Sequence, residues 1–178
     1  MPTIHSKFIS SFACLATLLL LGCANYEWSR PELPFKTLFV EAASNSSFAP
    51  QAQAPLSQQI RQAFIRDGRI EIVSNPKKAD AVLQINLTKY DRNPAIRDNT
   101  DSEIARSFDL KLTAQIALYD QKKNQYFFKK RTLNAHTNSF SNDPITGADT
   151  FALSEHQDMP RITRDLARKI ADEVLSVW

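Results

Sequence analysis

From Phe108 to Leu118 the chain alternates without a break: Phe108, Leu110, Leu112, Ala114, Ile116 and Leu118 on one side, Asp109, Lys111, Thr113, Gln115 and Ala117 on the other. Side chains of an extended chain point to opposite faces in turn, so this pattern specifies a long strand with one buried face. No other stretch restricts the fold as much, because an apolar sheet face needs a second layer to cover it. Two segments supply that layer. Leu56, Ile60, Ala63 and Phe64 recur at i, i+4, i+7 and i+8, which is one helical stripe, with Gln58, Gln59, Arg61 and Gln62 on the other side. Pro55 suits the first turn of this helix, having no N–H to lose, and Asp67-Gly68 ends it with a left-handed cap. Near the C-terminus Met159, Ile162, Leu166, Ile170, Val174 and Val177 fall at steps of three and four. They predict an amphipathic helix of about five turns. Pro160 either starts that helix or kinks one beginning nearer Phe151.

Three further strands follow from shorter patterns. Lys36 to Glu41 is a β-branched and aromatic run, and Ala81 to Thr88 alternates with its odd positions apolar. Asp120 to Asn124 reads as a hairpin loop, and Gln125 to His136 returns as the partner strand. Lys129-Lys130-Arg131 interrupts that return at a bulge or an edge, where cations discourage further pairing. Ala43 to Ala54 and Asn138 to Asp149 read as polar loops, Arg69 to Val73 as a brief extension, and Asn75 to Lys78 as a turn. The predicted order is β-α-β-β-β-α. The expected fold is an α+β two-layer sandwich, both helices on one face of a four-stranded mixed sheet. The first strand, first helix and second strand form a βαβ unit, so those strands are expected to be parallel with a right-handed crossover. The far sheet face is left polar, for water or a partner.

The chain opens differently. After Lys7 comes a 14-residue apolar run from Phe8 to Leu21, then Gly22 and Cys23. A bilayer needs ~20 apolar residues, so the run is too short to span and has the form of a secretory signal. A small residue followed by cysteine resembles the lipobox of bacterial lipoproteins. That resemblance implies cleavage before Cys23, acylation of its thiol and further acyl chains on the new N-terminus. Several chains make a stable anchor where one is marginal. Residue Ala24, which is not aspartate, implies export to the outer membrane in that class. Residues 1–22 are thus the expected signal peptide, 23–35 a lipidated tether with Pro31 and Pro34, and 36–178 a single domain. Tyr26 and Trp28 either sit at the lipid interface or pack on the domain.

Cleavage leaves 156 of the 178 residues, the size of one domain, with a net charge of only +2. That is no nucleic-acid footprint. Cys14 leaves with the signal and Cys23 is the lipid site, so no disulfide is expected and the fold depends on its core. Only Gly68 and Gly147 remain as glycines, which argues against a glycine-rich phosphate loop or a nucleophile elbow. His136 and His156 lie twenty residues apart without a cysteine partner, so neither a metal nor another cofactor is expected. Ser141, Thr150 and Ser154 lack a nucleophile context, and Asp98, Asp101 and Glu103 lie in a polar loop without apolar neighbours to raise a pKa. The chain does not read as an enzyme. Basic residues gather as Lys89/Arg92/Arg97/Arg106 around the loop after the second strand, as Lys122/Lys123, and as Lys129/Lys130/Arg131. Such groups receive phosphates or carboxylates, or serve as a solvated surface and edge protection.

The order of these elements resembles the LptE family of lipopolysaccharide-assembly lipoproteins. The matching stretches are Cys23-Ala24-Asn25-Tyr26, the strand Lys36 to Val40, and the helix Leu56 to Phe64 with Asp67-Gly68. Ala79 to Leu83, the long strand ending Leu118-Tyr119-Asp120, and the last helix after Gln157-Asp158-Met159 complete the match. The resemblance implies a lipid-anchored outer-membrane protein, facing the periplasm and barrel lumen, that plugs and helps assemble the LptD β-barrel and assists lipopolysaccharide transport. It also implies that Arg97 and Arg106, with Arg92 as a lesser contributor, meet lipid A phosphates. Two other classes remain open: a structural adaptor in another envelope complex, and a hydrolase with unrecognised residues.

Overall fold

The computed structural model describes residues 32–97, 105–140 and 148–177. The side chains of 96, 97, 105, 106 and 148–151 lie outside the described set, as do Cys23, Tyr26 and Trp28. From Leu33 onward the chain forms one compact unit. Its elements are β1 (Thr37–Val40), β2 (Ser44–Asn45), α1 (Gln53–Asp67), β3 (Glu71–Ile72), β4 (Ala81–Arg97), β5 (Ala105–Asp120), β6 (Gln125–Phe140) and α2 (Ala148–Leu175). The α+β class is as expected, with two helices and a mixed sheet. The sheet, however, has six strands where four were expected, in the order β3-β1-β4-β5-β6 with β2 also on β4. The two additions are two residues long each, too short to show a period. β3 pairs with β1 through Thr37↔Glu71 and Leu38↔Ile72. β2 continues the line of β1 along β4: Val40 lies opposite Leu83 and Ser44 opposite Asn86.

β1 and β4 are parallel, as the βαβ reading requires, and the β4-β5-β6 ribbon is antiparallel. Leu110, Leu112, Ala114, Ile116 and Leu118 of β5 are buried, with Phe108 half-buried at the end of the row. They join Leu38, Val40, Leu83, Ile85 and Leu87 in one core with Leu56, Ile60 and Phe64 of α1 and Met159, Ile162, Leu166, Ile170 and Val174 of α2. Both helical stripes are therefore buried as the spacing predicts, except that Ala63 is half-buried and Val177, also half-buried, lies past the end of α2.

Element boundaries differ more. α1 starts at Gln53 after a 3-10 turn at Pro50–Ala52, and its C-terminus closes as predicted, with Gly68 at φ 76° donating to the Phe64 carbonyl at 3.0 Å. β4 runs on to Arg97 instead of ending near Thr88. A bulge between Leu87 and Lys89 reverses its parity, so Tyr90 and Arg92 turn to the helix side and the simple alternation is lost. Past β2, this part of β4 has no partner on its outer side among the described residues, where the missing N–H of Pro94 is tolerated. β6 is the sheet edge, and its irregular pattern has the suspected cause: the register shifts between Leu118↔Phe128 and Ile116↔Arg131, with Lys130 at φ 54°. β6 extends to Phe140, and α2 starts at Ala148 and passes through Pro160 as a helix of 28 residues. That is far longer than five turns. Proline cannot donate to the carbonyl of His156, and Thr163 Oγ1 adds back-bonds to the Met159 and Pro160 carbonyls at 2.8 and 3.2 Å. The polar loop between β6 and α2 is correspondingly shorter.

Candidate functional site

The long ribbon reaches well past β1, and this part of it carries the first of the basic clusters, Lys89, Arg92, Arg97 and Arg106. Lys89 and Arg92 lie within β4 and not beside a loop, whereas Arg97 and Arg106 flank the connection from β4 to β5. Lys89 lies on the open sheet face and pairs with Asp91 at 2.9 Å. Arg97 ends β4 opposite Ala105, and Arg106 follows in β5, so the backbone brings these two arginines to the same end of the ribbon. Their side chains, and the connection that holds Asp98, Asp101 and Glu103, lie outside the described residues.

Arg92 occupies a different setting. The bulge turns it towards α2, where its Nη1 donates to Glu155 Oε2 at 3.0 Å. Glu155 is buried, at 8% exposure, and its other oxygen accepts from Tyr90 Oη at 2.8 Å and Gln51 Nε2 at 3.4 Å. One carboxylate thus joins the loop before α1, the ribbon and the first half of α2. Burial, and then the bond to Glu155, raises the pKa of the Tyr90 hydroxyl well above its usual value, keeping it a donor. Sequence reasoning missed Glu155. The signal was a carboxylate four residues before Met159, on the apolar stripe itself. On the helix-facing side of β6, Thr137 Oγ1 and Ser139 Oγ are buried without a hydrogen-bond partner among the described residues.

The opposite end is organised by Asp80. Its Oδ2 accepts from the backbone N–H of Lys36 at 2.9 Å and of Thr37 at 3.1 Å, and its Oδ1 pairs with Lys122 Nζ at 2.7 Å. Gln121 N donates to the Asp80 carbonyl at 2.9 Å, which ties the β5–β6 hairpin to the start of β4. Lys122, then the Lys36 and Thr37 amides, hold the Asp80 carboxyl down at about 2, against an ordinary 3.8. A folded-state pKa below the unfolded one adds stability that is fully present above the unfolded value and fades as pH falls towards the folded one. Asp80→Asn is therefore expected to destabilise the fold by about 2 kcal/mol at neutral pH, the scale of lost charge-assisted hydrogen bonds. Urea unfolding should show the gap to wild type constant above about pH 5 and shrinking from about pH 4 towards 2. A gap independent of pH over that window would exclude the role.

The open sheet face carries Gln84, Asn86, Lys111, Thr113 and Gln115, none fully buried, and a shallow concavity there is lined also by Glu41, Ser44 and Lys130. His136 lies on this face, 3.0 Å from Asn134 Oδ1 and 3.9 Å from an Asp109 oxygen. His156 is exposed on α2.

A family model described as lipopolysaccharide-assembly, LptE, matches residues 35–176, which is nearly the whole described domain. No curated protein matches the chain. Among solved structures, a Xanthomonas campestris protein superposes with a TM-score of 0.58 at 13% identity, covering 83% of this chain and 87% of its own. A hypothetical protein from Chlamydia trachomatis gives 0.56 at 12% identity, with 80% and 96% covered. A minor lipoprotein from Acinetobacter baumannii gives 0.50 at 15%, with 81% and 93% covered. At these identities the structural likeness is one of fold. The family match spans both helices and all six strands, and on that ground the chain belongs to the LptE lipopolysaccharide-assembly family.

Proposed function

We propose that this protein is a non-enzymatic outer-membrane lipoprotein, acylated at Cys23, that fills the lumen of an LptD-type β-barrel, helps it assemble and assists lipopolysaccharide transport to the outer leaflet. The family match carries this reading. The sheet supports it: helices cover one face, while the other presents amides, hydroxyls and lysines suited to the polar interior of a barrel. Affinity purification from envelope membranes should recover a large β-barrel protein in stable complex. Recovery of a periplasmic or cell-wall partner instead would favour the adaptor reading.

Arg97 and Arg106, at the far end of the ribbon, are the proposed contacts to lipid A phosphates, for which arginine is well suited. Arg92 is engaged with Glu155 and so is the lesser contributor. Replacing Arg97 and Arg106 together by Glu is expected to weaken lipopolysaccharide binding at least tenfold, on the order of 1.4 kcal/mol or more. Unchanged binding by the folded double variant would remove these two residues from the site.

A further inference from the structure

Around Asp80, at the end where the chain enters the domain, the fold gathers lysines from four separate segments. Lys36 precedes β1, Lys77 and Lys78 form the 3-10 turn before β4, Lys122 and Lys123 lie in the β5–β6 turn, and Lys129 stands on β6. All six are exposed. Their placement together follows from shared contacts: the Lys36 amide and the Lys122 ammonium share the Asp80 carboxylate, and Thr37 Oγ1 donates to the Lys78 carbonyl at 3.3 Å. The nearby carboxylates offset part of this charge. Asp80 is already engaged, and Asp120 is buried with Oδ1 accepting from the Lys122 and Lys123 amides at 2.9 and 3.0 Å. Glu71 on β3 and Glu32 before the domain are exposed acids here, and Asp67, exposed at the end of α1, is paired with Arg69 at 2.7 Å. Beside the lysines, Tyr126 packs edge-on to Tyr119 with centroids 5.0 Å apart, and Lys129 Nζ lies 4.3 Å above the Tyr126 ring.

We infer that this lysine-rich end docks on the phosphate headgroups of the bilayer that holds the protein's own lipid, with Tyr126 at the interface. The inference rests on the reading of Cys23 as the acylated residue. Two observations carry it. Phe35, in the core at this same end beside Phe127 (centroids 5.5 Å apart), is twelve positions from Cys23, so a lipid there keeps this end within about 40 Å of the membrane. The exposed charge at this end is then opposite in sign to anionic headgroups, for which each lysine brought to the surface adds roughly fivefold in affinity. Tyrosine is favoured at headgroup level.

The test uses the full acylated protein reconstituted into two kinds of vesicle, neutral phosphatidylcholine and the same lipid with phosphatidylglycerol. Amine-reactive labelling read by mass spectrometry reports each lysine separately. On anionic vesicles Lys36, Lys77, Lys78, Lys123 and Lys129 are expected to label several-fold more slowly than on neutral ones, with Lys89 and Lys111 unchanged. High salt should abolish the difference, since surface electrostatics are screened. The triple variant K77E/K78E/K123E should restore fast labelling of Lys36 and Lys129, and its circular dichroism should match wild type. Equal labelling on both vesicles, or protection that persists in the triple variant, would overturn the inference. The intact mass separates the two readings: an unacylated chain refutes the Cys23 reading. Flotation of that chain with anionic but not neutral vesicles would still uphold the patch, and flotation with neither would refute it.

Discussion

Phe64→Ala is expected to cost about 3–5 kcal/mol, the largest loss among the substitutions considered. Phe64 is fully buried on the inner stripe of α1, within the core that both helices share with the sheet. Truncation removes the transfer energy of a phenyl ring and leaves a cavity between layers of regular structure that cannot close around it. For a domain of this size the midpoint of thermal unfolding should fall by roughly 10 °C or more. Ile65 is the internal control. It follows Phe64 on the same helix but is 67% exposed, so Ile65→Ala should stay within about 0.5 kcal/mol. Calorimetry or urea melts of the two variants check the claim. Similar losses at both positions would mean that helix propensity, and not burial of this stripe, holds α1 in place.

The second large effect is expected at Glu155. Replacing it by Ala removes the acceptor for Tyr90 Oη, Arg92 Nη1 and Gln51 Nε2 in one step. Breaking a fully buried ion pair costs about 3–5 kcal/mol. Here the Arg92 side chain is 49% exposed and can recover water, so the loss should be about 2–3 kcal/mol. Glu155→Gln keeps a neutral acceptor for the tyrosine and should recover about half of it. Tyr90→Phe leaves the ion pair intact and should cost about 1 kcal/mol. A double-mutant cycle between Tyr90→Phe and Glu155→Ala isolates their shared bond, and a coupling indistinguishable from zero would show that the two do not act together. The site matters because Glu155 precedes Pro160. The proline removes a hydrogen bond from the helix ladder, so the first part of α2 depends on such side-chain ties to stay on the ribbon.

The two ends of the domain divide the proposed work. The far end of the ribbon holds Arg97 and Arg106, the proposed lipid A contacts, and the Asp80 end holds the lysines and the entry of the chain. Such a polarity suits a protein anchored in one leaflet and acting towards the other. The sequence made the basic clusters visible. It misjudged the setting of one cluster: with β4 ended at Thr88, Arg92 and Arg97 fell in a loop, whereas the bulge beside that residue carries the strand on and commits Arg92 to Glu155.

Some features were determined by the sequence alone, because each rests on residues within a few positions of one another. The alternation in β5, the stripes of both helices, the left-handed Gly68 and the tight β5–β6 turn are of this kind. Local spacing dictates which face is apolar, and an apolar face has one place to go. Tertiary structure alone decided the rest. β2 and β3 are strands only because β4 and β1 offer them backbone partners, as two residues carry no period. Glu155 is stable in its buried place only because Arg92, Tyr90 and Gln51, 63, 65 and 104 positions away, meet it there. A backbone amide or a buried charge is indifferent to where in the chain its partner comes from, and the folded arrangement supplies partners that no local pattern announces.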